Sequence, residues 1–255
     1  HDDVKLKSIE NMLLDRRLIF GGSILRAFKS GKKMSLSNCY VLKFDGDSIE
    51  DIFLFLQKAA RTMSYGGGVG EDISILRAKD TTVANAAKTS TGAVSFMPLI
   101  DLTTKTIGQK NRRGSNLCAI QDWHPDMPLF IQSKAYPEKV FSLDNITQDV
   151  YNISAMNISV KLSDEFMVRV LDDQDWEFVY PDIESDKDFY NKNWDGDLAK
   201  WISAGGKIKS YGSVKARDLL MQIAECAWKC GDPGVLFWDT SKKYSPTEFD
   251  DKTKI

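Results

Sequence analysis

Apolar positions along the chain switch between two rhythms. Asn38–Phe44 reads NCYVLKF, a short run of apolar and aromatic side chains that predicts a strand. Beyond Gly46, Asp47 fits a helix N-cap, and Glu50 three residues later resembles the second half of a capping box. The helix this predicts, Ser48 to about Met63, puts Ile49, Ile52, Phe53, Leu56, Ala60 and Met63 on one stripe. Gly66-Gly67-Gly68-Val69-Gly70 breaks the pattern. A second helix is expected over about Val94 to Ile107, with Pro98 near its start and Gly108 past its end, the favoured places for each. Asn157–Leu162 is a further strand, and Ser163 caps a helix running into Val170 and Leu171. Val214 to Cys230 predicts a long helix whose buried stripe is Leu219, Leu220, Ile223, Ala227 and Trp228. It ends at Gly231, and Asp232-Pro233-Gly234 turns into a strand, Val235–Trp238. The polar stretch from about Tyr180 to Tyr211 reads as an excursion or long loop. Strands alternating with helices favour an α/β architecture with parallel strands.

Composition narrows the class without naming it. The 255 residues are 42% hydrophobic and 27% charged, ordinary for a globular chain and unlike a disordered one. The net charge of -2 supplies no basic field to draw in nucleic acid or an anionic membrane, and no apolar run approaches the ~20 residues of a membrane helix. The start, HDDVKLK, is charged and lacks the apolar core of a secretory signal. The four cysteines, Cys39, Cys118, Cys226 and Cys230, form no CxxC pair and are expected to be thiols of a cytoplasmic protein. With only His1 and His124 present, a His-rich metal site is excluded and no metal ligands are assigned.

Several residues carry potential chemistry, each with a plainer alternative that stays open at this level. Cys39, early in a strand, could present a thiol to a pocket or be an ordinary buried cysteine. Asp47 could hold a ligand hydroxyl or only cap its helix. The glycine cluster lets backbone approach a ligand, or is only a turn; it is neither a P-loop nor a dinucleotide fingerprint. Arg77, and the loop Gln109–Asn116 with Lys110, Arg112 and Arg113, suit phosphate but also fit a solvated basic surface. Cys226 and Cys230, four apart on one helix face, read as packing residues, and His124 in Asp122-Trp123-His124-Pro125-Asp126 reads as structural.

The order of these signals is more specific than any one of them. Ser37-Asn38-Cys39-Tyr40-Val41-Leu42, Gly46-Asp47-Ser48-Ile49, Gly66 to Gly70, Leu76-Arg77, Gly92-Ala93-Val94-Ser95-Phe96-Met97, Gln109 to Asn116, His124-Pro125-Asp126, Asn157-Ile158-Ser159-Val160, Asp164-Glu165-Phe166-Met167 and Gly231-Asp232-Pro233-Gly234-Val235 follow one another. This series, from about Arg16 to Asp239, resembles the large-subunit family of ribonucleotide reductases. The resemblance implies an α/β fold, the first half of a ten-stranded barrel with effector-binding helices, residues 1–255 forming one partial barrel domain without an ATP-cone.

By the same resemblance, Cys39 is the barrel cysteine that reduces the substrate, and Ser37, Asn38, Gly67 and Gly68 contact the substrate. Asp47 and Ser48 hold the effector's ribose end and Arg77 its phosphates. Ala78–Gly92 resembles the first specificity loop. Gln109 to Asn116 resembles the second, with Gln109 and Arg112 or Arg113 carrying effector identity to the substrate. The effector would be a deoxynucleoside triphosphate or ATP with Mg, and the radical generator adenosylcobalamin or a small metal-radical partner subunit. Implied partners are the remainder of the reductase chain, a second copy in a homodimer, and thioredoxin or glutaredoxin. The Asn-Pro-Cys-x-Glu-like block that carries the family's radical cysteine does not occur, nor do its partner and tail cysteines. The expectation is therefore half of an oxidoreductase that makes deoxyribonucleotides, inactive alone. Its rivals are a non-catalytic deoxynucleotide-binding regulator, an interaction module and, more distantly, a glycyl-radical lyase.

Overall fold

The structure, a computed structural model, describes residues 2–28, 30–83, 87–107, 114–141 and 151–245. In chain order the elements are α1 (Asp3–Leu14), α2 (Gly22–Ala27), β1 (Cys39–Val41), α3 (Ile49–Ser64), β2 (Gly68–Asp72), α4 (Met97–Thr106), β3 (Asn116–Gln121), α5 (Met127–Gln132), α6 (Pro137–Val140), β4 (Met156–Leu162), α7 (Asp164–Leu171), β5 (Asp175–Pro181), α8 (Lys187–Asn193), α9 (Leu198–Ser203), β6 (Ile208–Lys215), α10 (Ala216–Cys230), β7 (Gly234–Phe237) and α11 (Trp238–Tyr244). Short 3-10 turns at Ile73–Ile75 and Ala93–Phe96 precede the Arg77 loop and α4.

Five strands form one sheet in the order β1-β2-β3-β4-β7, every pair parallel. Parallel neighbours need crossovers, and helices supply them. Side chains alternate across the sheet. Val69, Cys118, Ile120, Met156, Ile158, Val160 and Leu162 face the helices and enter the main core with Ile52, Phe55, Met97, Phe130, Phe166, Leu219 and Ile223. The register puts Cys39, Gly68, Leu117 and Asn157, among others, on the opposite face. The α/β class with a parallel sheet is thus as expected.

Local differences have geometric causes. β1 spans only Cys39–Val41, shorter than the expected run. Ser48, not Asp47, caps α3, and the capping box closes on Asp51 rather than Glu50: Ser48 Oγ accepts from Asp51 N at 3.1 Å. The buried stripe of α3 is Ile52, Phe55, Leu56, Ala59 and Met63. Ile49, Phe53 and Ala60 sit roughly 60–100° round the helix from Ile52, and Ile49 and Phe53 are exposed. On α10, Trp228 lies nine residues past Leu219, about half a turn out of phase, and it is 89% exposed rather than buried. Gly231 ends that helix in the left-handed region, φ 84°, as predicted. The stretch taken for irregular holds an antiparallel β5–β6 hairpin with α8 and α9 between its strands. It closes a second core of Ala78, Tyr180, Ile183, Tyr190 and Trp201. Gly206 is required there, since a Cβ would stand 2.1 Å from the Trp201 ring.

Two buried polar anchors set the loops around the sheet. His124 is fully buried and neutral in form: its Nε2 donates to Leu76 O at 3.0 Å while Nδ1 accepts from Asp126 N at 3.0 Å. Burial lowers its pKa further. Asp126 takes Lys79 N at 3.0 Å on one oxygen and Ala93 N at 2.7 Å on the other, clamping both ends of the loop between them. The second anchor is Glu71, 3% exposed and across the ladder from Cys118. It accepts from Asn116 Nδ2 at 2.9 Å, while Glu71 Oε1 and Asn116 Oδ1 have no partner among the described residues. Burial pushes Glu71 well above the usual carboxylate range.

Two outcomes follow from these anchors. Asp126→Ala strands the buried Ala93 N–H and removes the partner of the more exposed Lys79 N–H, and is expected to cost about 1–3 kcal/mol; exchange of the Lys79 and Ala93 amide protons should accelerate together. For Glu71 the folded pKa lies above the unfolded one. The unfolded chain therefore releases this proton first, and stability falls as pH rises from about 4.3 towards the folded value. Glu71→Gln should stabilise at pH 7 by at least ~1 kcal/mol and much less at pH 4. Equal shifts in thermal midpoint at both pH values would show that Glu71 is not held protonated.

Candidate functional site

A cavity of about 400 Å³ opens at the amino ends of β1, β2 and β3. Asn38, Cys39, Gly67, Gly68, Gly114 and Ser115 lie in its walls, with Ser23 and Arg26 reaching it from α2. The chain builds it from backbone. Gly68 N donates to Asn38 O at 2.6 Å, and Val69 N to Ser115 O at 2.9 Å. Ser23 Oγ donates to Asn38 Oδ1, which ties α2 to the strand entrance. A Cβ on Gly67 would stand 2.6 Å from the Tyr40 ring, and one on Gly114 2.8 Å from Thr104 O. Side chains are therefore excluded where the walls come closest.

Of the four cysteines, Cys39 alone lines this cavity, and it is exposed. Cys118 is buried behind the sheet, and burial, with Glu71 adjacent, pushes its thiol well up. Cys226 is buried in the helix layer, its thiol likewise raised by burial. Cys230 is exposed, and its single S–H has Cys226 O and Asp232 O as alternative acceptors, both at 3.3 Å. By position, Cys39 is thus the cysteine that a molecule in the cavity would meet. The structure brings Asn38, Gly67 and Gly68 to it. Ser37 is not in the cavity wall: its N–H donates to Ser35 Oγ at 3.1 Å, and its carbonyl accepts from that hydroxyl at 2.9 Å.

Past the other end of β2 lies a second polar cluster. Freed from the cap, Asp47 turns to Arg77: Nε donates to Oδ2 at 2.6 Å and Nη2 to Oδ1 at 3.3 Å. Their side chains are 11% and 20% exposed. Burial alone would lower the Arg77 pKa, but Asp47 beside it holds it raised. Tyr190 donates its hydroxyl to Asp47 Oδ2 at 2.7 Å, and the guanidinium lies 5.6 Å from the centre of its ring. The Ser48 hydroxyl is committed to Asp51 rather than to this pair.

The Arg77 loop begins here and returns to Gly92. Its neck is laced by Asp80 N to Ser90 O at 2.9 Å and Ser90 N to Thr81 O at 2.7 Å. Gly92, at φ 96°, would push a Cβ to 2.7 Å from Asp126 Oδ2. The expected messengers Gln109, Arg112 and Arg113 lie outside the described residues; the flanking Ile107 and Gly114 both border the Cys39 cavity. Sequence reasoning missed Tyr180, Tyr190 and Trp194, as well as Ser23 and Arg26. The first three did leave a signal: aromatic side chains crowded into a stretch judged polar need an apolar home. Among the described residues no helix is long and apolar enough to cross a membrane.

Comparison with known proteins agrees with this geometry. The model of the ribonucleotide reductase barrel domain matches residues 37–255. The chain is 34% identical over 221 residues to a vitamin B12-dependent ribonucleoside-diphosphate reductase of Thermoplasma acidophilum, covering 86% of this chain and 24% of that protein. It is 29% identical to the ribonucleoside-diphosphate reductase subunit alpha of a Synechocystis species, covering 84% of this chain and 28% of the relative. It is 27% identical to the large subunit of the variola virus enzyme, covering 86% and 27%. The chain thus spans about a quarter of the length of these relatives, and over that length it belongs to the ribonucleotide reductase barrel-domain family.

Proposed function

We propose that this chain forms the first half of the catalytic barrel of a ribonucleoside di- or triphosphate reductase, with Cys39 as a reducing thiol and the Asp47–Arg77 cluster as its nucleotide-effector site. The observation that carries the reading is the cavity at the strand ends, where Cys39 is the sole cysteine beside a backbone cradle. A second observation supports the half-barrel. Parallel sheets are normally covered on both faces. Here the face that carries Cys39 also leaves Val41 77% exposed. The remaining strands of the barrel, from the rest of the reductase chain, would cover it.

In that setting Cys39 delivers a proton as the substrate's 2′-hydroxyl leaves as water. Cys39 and a partner cysteine together supply two electrons, and a disulfide forms between them. A thioredoxin-type dithiol restores both thiols. Asn38, Gly67 and Gly68 hold the substrate against the thiol, with Ser37 bracing the turn before them. The radical that begins the reaction comes from adenosylcobalamin or from a metal-containing partner subunit, held outside these residues. Ile49 and Phe53 on α3, with Leu102 on α4, are exposed and supply an apolar face for a second copy. The effector, a deoxynucleoside triphosphate or ATP with Mg, meets Asp47 through its sugar and Arg77 through its phosphates. Gln109 and Arg112 or Arg113 relay its identity to the substrate.

The decisive experiment reconstitutes the chain with the remainder of the barrel, a radical generator and reduced thioredoxin. Deoxynucleotide formation is expected from the mixture and from neither half alone. Cys39→Ser should fold normally and lose roughly a hundredfold or more of turnover, as when a positioned proton donor is removed. Sustained turnover by that variant would reject the assignment of Cys39. Nucleotide binding is a separate arm. Asp47→Ala and Arg77→Ala are each expected to weaken deoxynucleoside triphosphate binding about tenfold or more, and unchanged dissociation constants would move the effector site elsewhere. Binding without turnover in any reconstituted mixture would favour a non-catalytic regulator.

A further inference from the structure

The excursion between α7 and α10 contributes to the Asp47–Arg77 cluster from more than a hundred positions away in the chain. Tyr190 on α8 is 2% exposed, walled by Trp194 in a stacked arrangement at 6.2 Å and by the edge of Trp201 at 5.9 Å. Its hydroxyl stands 2.7 Å from Asp47 Oδ2 and 3.1 Å from the Tyr180 hydroxyl, which reaches Ile75 O at 2.7 Å. Two phenolic protons serve these three contacts. Trp194 Nε1 also donates to Ile75 O at 2.9 Å, so that carbonyl is satisfied in either arrangement. The strongest use of the Tyr190 proton is then the anionic Asp47, since a hydrogen bond to a charged group is about twice as strong as a neutral one.

Asp47 Oδ2 consequently accepts two short bonds, from Arg77 Nε and from Tyr190. Among the described residues Oδ1 accepts only the long 3.3 Å contact from Arg77 Nη2. A carboxylate offers about four acceptor positions, so the acceptor capacity left at this site lies mainly on Oδ1.

We propose that Tyr190 is a positioning residue for nucleotide recognition: by fixing Asp47 Oδ2 it presents Asp47 Oδ1 to the sugar hydroxyl of a bound deoxynucleotide. The proposal rests on the reading of Asp47 and Arg77 as the effector site. A 2′-deoxynucleotide has one ribose hydroxyl left, the 3′-hydroxyl, and this is the group Asp47 Oδ1 would accept. The excursion is then part of the nucleotide site.

The test compares each of the four deoxynucleoside triphosphates with its 2′,3′-dideoxy analogue, with Mg, by isothermal titration of the natural protein that carries this sequence. Wild type is expected to prefer the 3′-hydroxyl form by about tenfold, the worth of one hydrogen bond to a charged acceptor. Tyr190→Phe keeps the ring and should bring that ratio towards one, with most of the lost affinity falling on the deoxy form. Tyr190→Trp keeps an aromatic wall without the hydroxyl and should give the same collapse if the phenylalanine variant is unstable. An unchanged ratio, or equal weakening of both ligands, overturns the proposal and leaves the effector site standing. Wild-type binding that is indifferent to the 3′-hydroxyl and to Asp47→Ala overturns the effector reading and this proposal together.

Discussion

A parallel sheet is stable only when helices or other strands cover both its faces, and most of this molecule follows from how that requirement is divided. On one face the helices between successive strands bury Val69, Ile120, Ile158 and Val160 in a continuous apolar layer. The other face is chemically different. It carries the Cys39 thiol, the small residues Gly68 and Gly70, and a polar group in which Asp72 takes Lys161 Nζ at 2.8 Å and Gln121 Nε2 at 3.2 Å. Charges placed on a sheet face suit a water-filled or substrate-filled interior, whereas Val41 on the same face suits contact with more protein. A barrel interior asks for both.

Buried charge is handled differently on the two sides of β2, and the difference sorts structure from function. Asp126 is almost fully buried yet satisfied by backbone, taking Lys79 N on one oxygen and Ala93 N on the other. A carboxylate with both oxygens committed to main-chain N–H groups has little left for a ligand and acts as a staple. Asp47 is less buried and answers to two side chains, Arg77 and Tyr190, which a ligand can reposition at far lower cost than a backbone. Removing one partner of such a pair leaves an unmatched charge, which is costly, whereas exchanging a partner for a phosphate or a hydroxyl is not.

Strands β1, β4 and β7 and the helices α3, α4, α7 and α10 were legible because their signals are local, whereas β2 was hidden in the glycine cluster and β3, β5 and β6 were not read as strands. Asn157–Leu162 alternates, Gly231 stops a helix by adopting φ 84°, and the glycine cluster marks the closest wall of the cavity. Phase was less legible. A stripe chosen by hydrophobicity alone put Phe53 and Trp228 inside, though an α-helix turns both towards the solvent of this chain. The cap was misplaced by one residue because aspartate and serine are nearly equal as N-caps. What settled it was tertiary: Arg77 attracts Asp47 away from the helix, and Ser48 takes over. The pairing of Tyr190 with Asp47 was invisible for the same reason, since nothing local ties residue 190 to residue 47. Only the folded hairpin brings them together.

The positions of the two clusters argue that one rigid element connects them. Gly66 to Gly68 lead into β2 at the Cys39 cavity, and Arg77 follows the same strand after one 3-10 turn. A five-residue strand spans roughly 17 Å, so the clusters lie one strand length apart. β2 is held on both sides, by β1 and by β3, and is poorly suited to move. Any effect of one cluster on the other must then be carried by segments that touch both ends of the strand without belonging to the sheet. Among the described residues, α4 begins beside the Asp126 clamp on Ala93, and Ile107 at its far end borders the Cys39 cavity. Coupling between sites requires a segment with more than one arrangement, each ligand favouring one of them. The rigid strand fixes the distance, so coupling between the clusters has to run through segments outside the sheet.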